Sequence, residues 1–145
     1  MLITGRCHCG NISFTLDWQP GAVETAPTEI PVRACTCAFC TKHGGVWTAH
    51  AGATLDVRIQ DATRVSKYAF ETKTADFYVC GVCGVVPVAS SDIDGGTYAV
   101  VNVNTFENVD PALLRKSSAT FDGEATDARL ARRKKNWIGH VRING

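Results

Sequence analysis

Short runs of alternating apolar and polar residues dominate the chain. Residues 11–18 are the clearest case: Ile12, Phe14 and Leu16 fall on one face, and Ser13, Thr15 and Asp17 on the other. This period of two predicts a half-buried strand. Further strands are predicted at 46–50, 54–59, 64–70, 75–79, 85–89 and 97–103, separated by Gly, Asp and polar turns. The last of these is β-branched and aromatic, and follows Asp94-Gly95-Gly96, a hairpin signal because a tight turn requires positive φ. Residues 19–31 are polar and contain proline, and read as a loop. Helical signals are sparse. Asp110 and Pro111 can cap and start a single turn, and residues 125–135 can form a short helix. The expectation is a mainly β fold of short antiparallel strands with few short helices.

A length of 145 residues predicts one domain spanning 1–145. Fifteen basic and fourteen acidic residues leave a net charge of +1, which makes no general case for nucleic acid or membrane partners. No apolar run approaches the ~20 residues needed to span a bilayer. The first thirty residues lack the charged and apolar segments of a secretory signal, so a cytoplasmic location is expected. The sequence leaves the oligomeric state open.

The seven cysteines change the picture most. Cys35, Cys37 and Cys40 lie within six residues, while Cys7/Cys9 and Cys80/Cys83 form two close pairs. An odd count and one-residue gaps suit disulfides poorly, and thiols kept reduced in a cytosolic chain at such spacing point to metal. No βαβ pattern surrounds Cys80 and Cys83 to support a thioredoxin-like role. Four plus three uses every cysteine. Cys7 and Cys9 precede a strand through Gly10, and Cys80-Gly81-Val82-Cys83-Gly84 reads as a glycine-relieved knuckle between strands. Two such turns facing one another would build a closed four-thiolate zinc site. Cys35, Cys37 and Cys40 would hold a second zinc with one position left over, the arrangement zinc enzymes use for water or substrate. Iron is the alternative for four thiolates. Gly44-Gly45 follows the triplet and permits positive φ or close backbone approach.

These residues resemble a known family. Gly5-x-Cys7-x-Cys9-Gly10, then the triplet Cys35–Cys40 with Lys42 and Gly45, then Cys80 to Gly84, is similar to the glutathione-dependent formaldehyde-activating enzyme (GFA)/CENP-V family, over about residues 5–88. One position differs: Thr41 follows the third cysteine where family members often carry Arg. The resemblance implies an Mss4-like β fold, a structural zinc on Cys7, Cys9, Cys80 and Cys83, and a second zinc on Cys35, Cys37 and Cys40. It also implies a carbon–sulfur lyase that joins glutathione and formaldehyde into S-(hydroxymethyl)glutathione.

The residues support that chemistry independently. Zinc deprotonates a bound thiol, and such a thiolate can attack the carbonyl carbon of a small aldehyde. His43 is the nearest titratable candidate for proton delivery, and Lys42 could hold a substrate carboxylate or offset charge. Both are weighed against a solvated loop. His8 should point away from the neighbouring cysteines, and His50 and His140 carry no ligand spacing. Trp47, Phe77, Tyr78 and Tyr98 read as core or pocket wall, and Arg132-Arg133-Lys134-Lys135 as a solvated helix face. A non-catalytic zinc-ribbon-like binding module, or a zinc-handling protein, is the alternative function.

Overall fold

The computed structural model describes residues 1–21, 29–121 and 123–145. Part of the 19–31 loop therefore lies outside the described residues. In chain order the elements are β1 (Leu2–Arg6), β2 (Ile12–Asp17), β3 (Ile30–Cys35), helix α1 (Ala38–His43), β4 (Val46–Thr48), β5 (Thr54–Ile59), β6 (Val65–Tyr68), β7 (Asp76–Cys80), β8 (Val88–Ile93), β9 (Gly96–Asn102), β10 (Leu114–Ala119), helix α2 (Thr126–Asn136) and β11 (His140–Asn144).

They form two sheets, β1-β2-β5-β11 and β10-β3-β4-β9-β8-β7-β6. The alternation in β2 does what its pattern requires. Ile12, Phe14 and Leu16 are buried, and Phe14 and Leu16 stand opposite Val57 and Leu55 of β5. These side chains join Ile30, Val32, Val88 and Val101 of the second sheet in one apolar cluster. Strands β8 and β9 are buried on both faces. Val88 and Val101 pair in register and enter that cluster, whereas their neighbours Ala89 and Val100 enter a second one with Cys40, Trp47 and Trp137. Alternate residues of one strand thus serve two cores.

The β8–β9 hairpin turns at Asp94 and Gly95, with φ of 50° and 80°. Asp110 caps a single helical turn at Pro111–Leu113, its carboxylate accepting from the Ala112 amide at 2.9 Å. The mainly β expectation holds, with one correction. Two pairings are parallel, β10 with β3 and β11 with β5, because late segments return to pair with strands laid down far earlier in the chain. No helix among the described residues is long and apolar enough to cross a membrane.

Candidate metal centres and the cavity beside them

Cys7 opens the turn that follows β1, and Cys80 closes β7, so two distant segments deliver four thiols to one point. The Sγ atoms of Cys7, Cys9, Cys80 and Cys83 all lie within 4.8 Å of one another. Separations of 3.8 Å for Cys7–Cys9 and 3.5 Å for Cys9–Cys80 approach the tetrahedral edge of about 3.8 Å that a Zn–S bond of ~2.3 Å dictates. Backbone amides face the sulfurs: Ile12 N–H donates to Cys7 Sγ at 3.3 Å. Gly84, at φ 80°, lets the knuckle close with its amide on the Cys80 carbonyl at 2.8 Å.

Burial pushes the Cys7 thiol up to about 12. Burial also raises Cys83, but amides of Val85 and Cys9 and the thiols of Cys80 and Cys7 outweigh it and bring that group to about 6. Thiols crowded together in this way are costly to ionise without a cation, and a shared dication removes that cost. The donor set fits a metal.

The second cluster is built locally. β3 delivers Cys35, and Cys37 is the N-cap of α1, its sulfur accepting from the Cys40 amide at 3.4 Å. The helix was not foreseen in the sequence. Its last turn is closed by Gly44 at φ 73°, and the Gly45 amide bonds back to the Cys40 carbonyl. The three Sγ atoms lie within 4.8 Å of one another, and among the described residues no fourth His, Cys, Asp or Glu joins them. Trp47, expected to be core or pocket wall, has a further contact: its indole Nε1–H donates to Cys40 Sγ at 3.4 Å. A hydrogen bond to Cys35 and burial push the Cys40 thiol up, against the lowering pull of that indole. These three thiols also fit a metal, with one coordination position to spare.

The triplet forms one wall of a cavity of about 110 Å³ between the second sheet and α2. Aromatic rings of Trp47, Phe70, Phe77 and Trp137 supply its apolar lining. A second wall is basic, with Arg129, Arg132 and Arg133 from α2, and Arg33 adds to the lining from β3, the strand that ends at Cys35. Here the sequence reading of a solvated helix face needs correction. Lys134 and Lys135 are exposed, but Arg129 and Arg133 are the two buried residues of the helix. Their spacing of four places them on one face, and that face is turned toward the cavity.

Other candidates fall elsewhere. His43 packs on Phe39 with ring centroids 4.3 Å apart and does not line the cavity. Burial lowers its pKa, and its buried Nε2 has no hydrogen-bond partner among the described residues. Lys42 is exposed on the last turn of α1. His8 and His140 are exposed, His50 packs edge-on against Trp18, and none of the three joins a cysteine cluster.

Fold and clusters together define a two-sheet β protein that carries one four-thiol and one three-thiol centre, the second open to a cavity. Residues 2–122 match the model of the glutathione-dependent formaldehyde-activating enzyme family, and the chain belongs to that family. The crystal structure of a Rhodobacter sphaeroides protein is similar, at 24% identity and a TM-score of 0.50, covering 74% of this chain and 91% of that one. This likeness bears on fold alone and agrees with an Mss4-like architecture. A comparison with curated proteins finds no match.

Proposed function

We propose that the chain is a zinc-dependent carbon–sulfur lyase acting on thiol–aldehyde adducts, of the S-(hydroxymethyl)glutathione synthase type. The observation that carries this reading is the three-sulfur cluster facing a cavity with no fourth protein ligand among the described residues. Zinc bound by Cys35, Cys37 and Cys40 would supply a position that holds a substrate thiol in its thiolate form. Cys7, Cys9, Cys80 and Cys83 would hold a structural zinc that ties β1 to β7.

In the forward direction the substrate sulfur forms a bond to the aldehyde carbon, the carbonyl electron pair moves to oxygen, and that oxygen takes up a proton. The reverse breaks the C–S bond and returns the proton. The Trp47 indole stabilises anionic sulfur on Cys40 and fixes the cluster's orientation. The aromatic lining restricts water around the reacting atoms, which strengthens electrostatic interactions there. His43 and Lys42 remain outside the cavity lining, so this reading assigns proton uptake to solvent.

The test is the rate of glutathione–formaldehyde adduct exchange by NMR magnetisation transfer, corrected for the uncatalysed reaction. Acceleration by zinc-replete protein that disappears in Cys37→Ser is the expected result. Equal rates with and without protein would reject the lyase reading and leave a non-catalytic zinc module.

A further inference from the structure

Arg133 is buried to 8% exposure without a carboxylate partner among the described residues. One of its Nη atoms donates to the hydroxyls of Thr74 and Ser91, at 2.8 and 3.2 Å. Its guanidinium lies over the Trp137 ring, 4.9 Å from the centroid. Its Nε is buried and donates to nothing among the described residues. Keeping a charged group this far from water is costly unless something compensates it, and neutral hydroxyls do so only in part.

The arginines around it do not relieve that cost. Arg132 is held by Glu124 through Nε and Nη2 at 3.1 Å, and its guanidinium stacks on Phe121 at 3.6 Å. Arg129 shares Glu124 at 3.3 Å and reaches Glu71 at 3.5 Å. Arg33 makes no ion pair among the described residues. Among the described residues, four guanidinium groups therefore face two carboxylates. Arg33 stands two residues before Cys35 on β3, whereas Arg133 comes from α2, where Thr74, Ser91 and the Trp137 ring hold it.

We propose that Arg133, with Arg33 and the paired Arg129 and Arg132, forms an anion subsite that takes a carboxylate of the thiol substrate while its sulfur is directed to Cys35, Cys37 and Cys40. Neutral thiols of similar size are then poor substrates. Planar guanidinium groups suit this task because they bind carboxylates through paired N–H donors. Thr74 and Ser91 act as positioning residues that hold the Arg133 fork in place before the ligand arrives. The proposal rests on the reading of the triplet as a thiol site, but its test does not depend on turnover.

The probes are S-methylglutathione, which keeps both carboxylates but has no free thiol, and its diethyl ester, which lacks them. Binding to the zinc-replete protein can be followed by tryptophan fluorescence, since Trp47 and Trp137 line the cavity. The acid should bind about tenfold or more tightly than the ester, and salt should weaken it, as for a charge-assisted contact. Arg133→Gln should abolish most of that preference. Should that variant fold poorly, Arg33→Gln, at a half-exposed strand position, must weaken the acid several-fold and leave the ester unchanged. Equal binding of acid and ester, or of the acid to wild type and a folded variant, overturns the subsite. Binding of the acid without any acceleration of adduct exchange would retain the subsite and reject the lyase reading.

Discussion

The indole N–H of Trp47 points at the sulfur of Cys40, 3.4 Å away, and links the apolar wall of the cavity to its thiol cluster. Both residues are nearly inaccessible to solvent, so the contact is shielded from competition by water and favours the anionic sulfur. Trp47→Phe keeps an aromatic ring in the second core and removes only the donor. We expect near-native melting and a loss of metal affinity at the triplet on the order of tenfold, the usual effect of losing a ligand's outer partner. Release of zinc to a colorimetric chelator would measure it. Unchanged release of the exchangeable equivalent would show that the indole contributes packing alone.

The two clusters should respond differently to losing a sulfur. Cys9 and Cys80 are separated by 71 positions, so the four-thiol site closes about half of the chain into one loop and its metal energy is folding energy. Cys83→Ser should therefore cost several kcal/mol of stability and yield insoluble or unfolded protein. Cys37→Ser should remain folded with about one equivalent less zinc. The choice of serine matters here, because Cys37 caps α1 and serine is a favoured N-cap. An unfolded Cys37→Ser protein, beside a stable Cys83→Ser protein, would mean that the structural and exchangeable roles are reversed.

The cysteine pattern was legible in the sequence because thiol spacing is a local property, and so were β2, β5 and the Asp94-Gly95 turn. Other elements left weaker traces. β10 is an edge strand reading Leu-Arg-Lys-Ser-Ser-Ala, with four consecutive exposed residues, so it has no buried face to create a period of two. β3 begins Ile30-Pro31, and proline argued for a loop where the strand in fact pairs with a distant segment. The basic wall was missed for a related reason. Polarity marks the outer face of most helices, and in α2 the buried face is made of Arg129 and Arg133. The available signal was their spacing of four, in a helix whose acidic residue lies only in the first turn.

Glu124 makes the basic wall sensitive to acid. It accepts from Arg132 and lies 3.3 Å from Arg129 Nε, and these contacts, the Arg132 hydrogen bond first, hold its carboxyl below the ordinary value. A depressed folded pKa means stability that is present above the unfolded value of about 4.3 and lost as the pH falls through the folded value. Glu124→Gln should lower stability at pH 7 by about 1 kcal/mol, with the difference from wild type shrinking below about pH 4. Urea midpoints of both proteins at successive pH values, from pH 7 down to the point where thiol protonation releases the zinc, test this. An offset that stays constant through that range would mean that the carboxylate charge plays no part.

Gly45 controls the approach of β4 to the triplet. A Cβ added there would lie 2.8 Å from His43 Cε1 and 2.9 Å from Trp47 Nε1, closer than atoms of these types tolerate. Either the imidazole or the indole must move, and the indole is the one that holds Cys40. Gly45→Ala should cost about 1–3 kcal/mol as an overpacked site. If the indole is displaced, zinc release from the triplet should accelerate as it does in Trp47→Phe, and the double variant should release no faster than either single one. A folded Gly45→Ala protein with native zinc release would instead show that His43 yields, with Trp47 still bonded to Cys40. Melting curves and chelator kinetics on the same four proteins separate the two outcomes, because strain acts on the first and loss of the Trp47 donor acts on the second.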